Sequence, residues 1–167
     1  MHNELTEKDI QLMRQELDYR RTVLRPKLIE DVQTARAFGD LSENFEYKAA
    51  KRDKNRNDSR CRYLENMIKT AVVISGQSAA GTVGLYDKVT FYVEEDDETV
   101  TCQIVTTMRQ DALKGLISKE SPVGKAVLGR RVGDRATVHV SDSYSYDIVI
   151  QDIQPGEDTG EAPLVGF

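Results

Sequence analysis

Two carboxylates in the short segment 39–44, Asp40 and Glu43, are the strongest candidates for chemistry in this sequence. They stand three residues apart at a predicted helix start, where side chains at that spacing can converge on one side. Mg²⁺ prefers oxygen ligands and is often held by one or two protein carboxylates together with phosphates and water. The pair could therefore complete a metal site whose other ligands come from another molecule, and orient a hydrolytic water there.

Helix capping explains the same two residues without any chemistry. An Asp at the N-cap followed by a Glu at the third helical position is close to a capping box, and the helix dipole favours both acids. The residues alone leave both interpretations open. Capping does not explain why this turn lies between two long predicted helices.

The rest of the chain offers few other catalytic groups. The two histidines, His2 and His139, are far apart, and no Cys/His cluster has the spacing of zinc ligands. Neither a P-loop nor a Gly-x-Ser-x-Gly nucleophile motif is present. We therefore expect a reaction that uses carboxylates, or a site that is shared with another molecule.

Two long helices must position the acidic turn. The first is predicted over residues 6–38, with Thr6 as N-cap and Asp9 as its short-armed capping partner. Pro26 is expected to bend this helix without ending it. The second helix is predicted over about 43–69. The short connection makes the helices antiparallel, and their lengths give a rod of about 40–48 Å.

The second helix carries a basic stripe with an unusually polar middle. Residues 51–60 are ten consecutive polar residues, which predicts a hydrated region or one that is open to a partner. Residues 47–62 hold seven basic side chains against two acids, although the whole chain has a net charge of −5. Such a stripe indicates either a polyanion that is met at one place or an ordinary solvated helix face.

The second half of the chain changes to the period-two alternation of strands, which predicts a small antiparallel β-sheet. A short helix is expected after Ser121 and Pro122, so the fold class is α+β. The predicted division is a helical hairpin with an acidic tip, a linker, a β domain and a loose tail, over residues 1–75, 76–81, 82–155 and 156–167.

Composition indicates a globular cytoplasmic protein, which we expect to be a monomer. Hydrophobic residues make up 39% of the chain and charged residues 31%. No apolar run reaches the roughly 18 residues of a membrane-spanning helix, and no secretory signal is visible. The two cysteines, Cys61 and Cys102, are expected to be reduced.

Residues 39–51, Gly-Asp-Leu-Ser-Glu-Asn-Phe-Glu-Tyr-Lys-Ala-Ala-Lys, closely resemble the tip of the bacterial Gre transcript cleavage factors. Segments 116–118, 121–126 and 129–134 are similar to that family as well, so the resemblance covers about residues 4–153. Three features depart from its pattern. They are the sequence Thr-Thr-Met-Arg-Gln-Asp at 106–111 in place of an acidic loop, the sequence Asn-Arg-Asn-Asp at 55–58, and the long tail after Ile153.

The resemblance implies a coiled-coil hairpin that enters the secondary channel of bacterial RNA polymerase. A C-terminal domain similar in fold to the FK506-binding proteins would hold the channel rim through Ser121 and Pro122. Asp40 and Glu43 match the family's tip acids, which help to hold the second Mg²⁺ of the polymerase active centre and position the attacking water. The polymerase would hydrolyse the backtracked RNA, so this chain would not itself be an enzyme or hold Mg²⁺ stably when free.

Basic positions near the extruded RNA 3′ end are matched by Arg36 and Lys51, and Arg52 stands beside Lys51. One alternative is a regulator that occupies the same channel without stimulating cleavage, although the intact acid pair favours cleavage. Another is a peptidyl-prolyl isomerase, suggested by the C-terminal fold alone. That activity requires an aromatic-lined pocket, whereas this chain has no Trp and its C-terminal aromatics are mostly Tyr at strand spacing.

Overall fold

The computed structural model of the chain describes residues 3–39, 43–76 and 78–166. By its internal contacts the chain divides into two units. The helical unit is Ile10–Ala71, and the β-sheet unit contains the described residues up to Asp9 together with Val72–Gly166. Within the described residues, no helix is both long and apolar enough to cross a membrane.

The first helix begins at the predicted capping box. The backbone N–H of Thr6 donates to the Asp9 carboxylate at 3.0 Å, and the Asp9 N–H donates to the Thr6 hydroxyl oxygen at 3.2 Å. This reciprocal pair satisfies two donors that a helix start otherwise leaves without partners. Helix α1 then runs over Glu7–Tyr19.

Pro26 interrupts the first helix without ending it, as predicted. A π-helical segment, Arg20–Leu24, directly precedes helix α2, which runs over Arg25–Arg36. Pro26 lacks an N–H and its ring crowds the carbonyl four residues earlier, at Thr22. A wider turn relieves that crowding, because the Arg25 N–H bonds to the carbonyl of Arg20, five residues back.

Helix α3 spans Phe45–Thr70, and its 26 residues give a length of about 39 Å. It packs antiparallel to the first helix, because residues earlier in the first helix pair with residues later in α3. The pairs run from Arg36 with Tyr47, through Arg25 with Asp58, to Glu16 with Arg60. The hairpin is therefore confirmed.

Most of the polar middle of α3 is exposed or half-exposed, as predicted, but two of its residues are buried against the first helix. Asn57 and Arg60 are each only 3% exposed. Arg60 donates to both oxygens of Glu16, at 2.9 and 3.0 Å, and Arg20 joins Glu16 at 2.7 Å and Asn57 at 3.0 Å. Burial opposes ionisation of Glu16, but the hydrogen bonds from Arg60 and Arg20 outweigh it and lower the pKa of that carboxyl. The partner of this polar stretch is the first helix itself.

The apolar side chains buried in the helical unit lie mostly toward the end of the hairpin that is remote from the turn. They are Met13, Leu17, Ala35, Cys61, Leu64 and Met67. Among the described residues of the hairpin, only Ala35 belongs to the part near the turn. The hairpin is therefore held by apolar packing toward its base and by polar pairs along its middle.

The β-sheet unit contains a five-stranded sheet in the order β5-β4-β3-β7-β6. A separate parallel pair joins the short strands Glu4–Leu5 and Val72–Val73, named β1 and β2. The five larger-sheet strands are β3 Lys88–Val93, β4 Glu98–Val105, β5 Leu116–Ser118, β6 Arg135–Ser141 and β7 Tyr144–Gln154. Helix α4, Pro122–Val127, follows β5.

The large sheet is antiparallel as predicted, with one exception. Strand β5 runs parallel to β4, because the chain crosses over between them through the short helical turns Thr107–Arg109 and Ala112–Lys114. A crossover of this kind returns the chain in the same direction, whereas a tight hairpin reverses it. The core lies where the alternating residues of β3, β4, β6 and β7 are buried, including Val89, Phe91, Ile104, Val138 and Ile148.

The segment after β7 is held against the sheet unit, although the sequence predicts a loose tail. Arg109, 1% exposed, donates to both carboxylate oxygens of Asp158 and to the carbonyl oxygen of Ala162. The Val165 N–H donates to the carbonyl of Met108 at 2.7 Å. Arg109 lies in the segment 106–111, which departs from the family pattern. The long tail after Ile153 is another such departure, and Arg109 binds it.

The cysteines are both free and buried. Burial raises the pKa of the Cys102 thiol to about 11, so that side chain is a neutral thiol in the folded protein.

Candidate functional site

The first side of the hairpin tip is closed by Gly39, as predicted. The N–H groups of Ala37 and Phe38 still bond to carbonyls of the last turn of α2, and the chain then leaves the helix. Gly39 has a φ of +124°, a conformation that side chains rarely permit. Asp40, the first of the two predicted acids, lies outside the described residues.

Asn44 closes the other side of the tip. Its side-chain oxygen accepts the N–H of Tyr47 at 3.0 Å, which caps α3, and its amide nitrogen donates to the carbonyl of Ala35 at 2.7 Å. One side chain therefore begins α3 and also satisfies the end of α2, where carbonyls have no partner within the helix.

This cap changes the interpretation of Glu43. The capping box proposed from sequence needs Glu43 at the third position of α3, but Glu43 precedes the N-cap and is exposed. That interpretation is therefore wrong for Glu43, because Asn44 caps the helix. Glu43 lies in the turn before the helix, so helical spacing does not position it, and its separation from Asp40 lies outside the described residues. What remains is an exposed carboxylate at the end of the hairpin.

Arg36 and Lys51, the two basic residues predicted to flank the tip, meet at one aromatic ring. The Arg36 guanidinium donates to the Tyr47 hydroxyl at 3.4 Å and lies 5.6 Å from the ring centre, while the Lys51 ammonium lies 6.0 Å from the same centre. The hydrogen bond from Arg36 and the charge of Lys51 lower the pKa of the Tyr47 phenol. The two cations are thus held on one side of α3, within a turn or two of Glu43.

Two exposed phenylalanines near the tip were not singled out as site residues by sequence analysis. Phe38, just beyond α2, is 73% exposed, and Phe45, the first residue of α3, is 79% exposed. The Lys48 ammonium lies 5.6 Å from the Phe45 ring centre. Phe45 and Ala49 have the i, i+4 spacing of an apolar helix face, which suggests an inward residue, and no local signal in the sequence indicates that Phe45 is exposed.

Arg52, the third basic residue predicted for the site, is exposed and lines an open groove of about 630 Å³ on α3. The groove is formed by side chains of that one helix, Lys48, Lys51, Arg52, Asn55, Arg56 and Ser59. Its walls carry four cations and no carboxylate. This surface suits a polyanion.

Ser121 and Pro122 lie in the other unit, at the start of α4. The Ser121 hydroxyl accepts the N–H of Gly124 at 3.0 Å and donates to the carbonyl of Ser118 at 2.7 Å, and Pro122 is exposed at the first helical position. A Cβ on Gly124 would lie 2.2 Å from the Ser118 carbonyl oxygen, so glycine is required there. The motif thus forms a rigid, capped corner that presents Pro122 to solvent.

A complete metal site is not formed by the described side chains. No group of three His, Cys, Asp or Glu residues that could hold an ion occurs in the parts of the chain that the structure describes. Glu43 supplies the oxygen donor that Mg²⁺ prefers, but one exposed carboxylate fills only a fraction of its octahedral shell. This donor set fits an ion whose other ligands come from another molecule.

Two models of one protein family together match nearly the whole chain. Residues 3–73 match the N-terminal model, and residues 77–155 the C-terminal model, of the transcription elongation factors GreA and GreB. The chain is 44% identical over 135 residues to transcription elongation factor GreA of Geobacillus kaustophilus, covering 80% of this chain and 85% of that protein. It is 39% identical over 134 residues to GreA of Bacillus subtilis, with the same coverage.

Among solved structures, GreA factor homolog 1 of Thermus thermophilus aligns over 91% of this chain and 98% of its own, with 25% identity and a TM-score of 0.40.

Proposed function

This chain belongs to the GreA/GreB family of transcription elongation factors, and on that premise we propose that it stimulates RNA cleavage by bacterial RNA polymerase. The hairpin inserts into the secondary channel of the polymerase and brings its acidic tip to the active centre. The polymerase then hydrolyses the backtracked nascent RNA, which rescues an arrested complex. The chain lends ligands to that reaction and is not an enzyme by itself.

The observation that carries this proposal is the position of Glu43. Its carboxylate is exposed at the end of a hairpin whose second helix is about 39 Å long, and Asn44 performs the capping that would otherwise account for it. An exposed acid at the end of such an arm can reach a site that a globular domain cannot enter. Asp40, three residues earlier, is proposed as its partner.

The two acids are proposed to complete the coordination of the second Mg²⁺ of the polymerase. When bound there, the ion supplies Lewis-acid activation of the scissile phosphodiester and lowers the pKa of the attacking water. Glu43 and Asp40 contribute oxygen ligands and orient that water. Because the chain supplies only part of the ligand shell, it binds the ion in the complex and not on its own.

The basic residues near the tip are proposed to bind the extruded RNA. Arg36 and Lys51 are held on the Tyr47 ring, and Arg52 extends the same positive surface along α3. Charged hydrogen bonds from Arg and Lys to phosphate oxygens are short and strong, and they carry no sequence preference. These contacts would keep the RNA 3′ end beside the acids whatever its sequence.

Ser121 and Pro122 are proposed to hold the rim of the channel. Their corner is fixed by the Ser121 cap and by the close approach of Gly124 to Ser118. A rigid exposed corner loses little conformational entropy on binding, which makes it suitable for docking.

Transcript cleavage on a backtracked polymerase complex tests the proposal. With Glu43→Gln or Asp40→Asn we expect stimulated cleavage to fall by about 100-fold, comparable to the loss of one preorganised electrostatic group in an active site. Binding to the polymerase should change less than about twofold. Glu46→Gln, which neutralises an exposed acid in the first turn of α3, is the matched control and should cleave normally.

If Glu43→Gln stimulates cleavage as well as the wild type, the proposal that the tip supplies a carboxylate to the active centre is wrong. If the wild-type protein binds the polymerase and never shortens the RNA, the chain is a channel-binding regulator that does not stimulate cleavage.

A further inference from the structure

The exposed rings at the tip, Phe45 and Phe38, have no role in the chemistry proposed above. They are 79% and 73% exposed and stand on opposite sides of the acidic turn. Asn44 already fixes both helix ends by hydrogen bonds, so the fold does not need an aromatic residue at position 45. Single exposed apolar residues are common on protein surfaces, so it is the charges beside Phe45 and its closeness to Glu43 that indicate a ligand.

The charges around Phe45 restrict what can cover it. The Lys48 ammonium lies 5.6 Å from the Phe45 ring centre, and Arg36 and Lys51 lie at 5.6 and 6.0 Å from the ring of Tyr47. Lys is depleted in the buried cores of protein–protein interfaces, because its charge is costly to desolvate. A flat ring beside a cation instead matches a nucleotide, whose base stacks on the ring while its phosphate meets the cation.

Phe45 also lies close to the proposed reaction. Two residues of extended chain span at most about 7 Å, so the Cα atoms of Glu43 and Phe45 are no farther apart than that. This distance is of the order of one nucleotide. A carboxylate that reaches the scissile phosphate therefore brings the Phe45 ring next to the nucleotides on either side of it.

We propose that Phe45 is a stacking platform for an unpaired base of the backtracked RNA 3′ segment, with Lys48 on the adjoining phosphate. The inference rests on the proposed function, since it assumes that the tip meets extruded RNA. Stacking on one ring is tolerant of base identity, because every base presents a π face. Phe45 would thus favour backtracked complexes over complexes that have no extruded RNA.

Fluorescence of 2-aminopurine at the RNA 3′ terminus tests this directly. The complex is backtracked and carries a phosphorothioate at the scissile linkage, so that the RNA stays intact during the measurement. Adding the wild-type protein should quench the fluorescence as the base stacks. Phe45→Ala should remove the quenching and weaken binding to the backtracked complex by about tenfold, while binding to a complex without extruded RNA stays the same.

Matched variants separate stacking from other contacts. Phe45→Tyr keeps the ring and should behave as the wild type, whereas Phe45→Leu keeps apolar bulk and should behave as Phe45→Ala. Leu113→Ala removes a side chain that is 99% exposed in the other unit, and it should change nothing.

Two results would overturn the inference. If Phe45→Leu quenches and binds as the wild type, the ring is not stacking. If Phe45→Ala weakens binding equally without extruded RNA, Phe45 contacts polymerase protein. The quenching does not depend on hydrolysis, so a wild-type protein that cleaves without quenching refutes the stacking and leaves the proposed function standing. A protein that quenches the fluorescence without stimulating cleavage supports the stacking and refutes the proposed function.

Discussion

Replacing Asp158 with Asn should destabilise the β-sheet unit, because Asp158 is the principal partner of a cation that has no access to water. The Arg109 side chain is fully buried and donates to the two oxygens of Asp158 at 2.9 and 3.2 Å. Asp9, also fully buried, lies 3.3 Å from the same guanidinium. The variant preserves the size of the side chain at 158 and removes its charge.

The expected magnitude follows from what Arg109 retains. Removing one partner of a buried ion pair costs about 3–5 kcal/mol when the other charge is left alone. Here Asp9, the Ala162 carbonyl and the Tyr86 ring at 5.8 Å remain, and the Asp158 side chain is 13% exposed. We therefore expect a loss of about 2–3 kcal/mol in the free energy of unfolding. In a chain of this size that lowers the melting temperature by about 4–12 °C.

Calorimetry of the full chain measures this loss, and Glu157→Gln is the matched control. Glu157 is the exposed neighbouring acid, and neutralising it should change the free energy of unfolding by less than about 0.5 kcal/mol. Hydrogen exchange of the Val165 amide, which bonds to Met108, gives a local measure and should accelerate in Asp158→Asn. Equal melting temperatures for the two variants would refute the view that this ion pair holds the tail.

Three further predictions concern the hairpin and the corner formed by Ser121 and Pro122. The pKa of Glu16 is lowered in the folded state, so its contribution is full above the unfolded pKa of about 4.3 and is lost as the pH falls through the lower folded value. Glu16→Gln should therefore flatten the pH dependence of hairpin melting below about pH 4.5, and an unchanged acid transition would contradict this. Pro122→Ala should raise the protein concentration that gives half-maximal cleavage without lowering the rate at saturation, whereas a lower saturated rate would place Pro122 in the chemistry. Ser121→Ala should do the same and also cost about 0.5–2 kcal/mol of stability, measured by melting, because α4 loses its cap.

The elements that sequence predicts well are those with local signals. The capping box of Thr6 and Asp9, the stop at Gly39 and the alternation of β3 and β4 all depend on residues within a few positions of one another. Strand β5 has only three residues, too few to show a period, and its parallel pairing with β4 comes from the crossover before it. Local pattern could not reveal that direction.

Buried charge was the main feature that sequence could not locate. Arg60 looks like any other member of a solvated stripe, and its partner Glu16 lies 44 positions away. Arg109 looks like a loop residue, but its carboxylate partners come from positions 9 and 158. A charged side chain is buried only when such partners converge, and this convergence is a property of the fold.

At the candidate site too, the sequence does not show which of several possible contacts the fold forms. The segment 40–44 offers several side chains that can cap a helix, and sequence does not rank Asp40 above Asn44. Asn44 caps α3 because its amide also donates across the turn to the carbonyl of Ala35, a contact that a carboxylate could not make. Sequence therefore predicted the break between the two helices but assigned Glu43 to the wrong side of the boundary of α3.

The choice of Asn at position 44 has a consequence for the acids that precede it. Had Asp40 and Glu43 capped α3, their oxygens would have been engaged by backbone N–H groups, and metal binding would have had to break those bonds. Asn44 performs the capping with a neutral side chain, so α3 begins without using Glu43. The helix cap and the proposed metal ligand are thus two adjacent residues, and the exposed Glu43 carboxylate needs to break no capping bond to take up the proposed role.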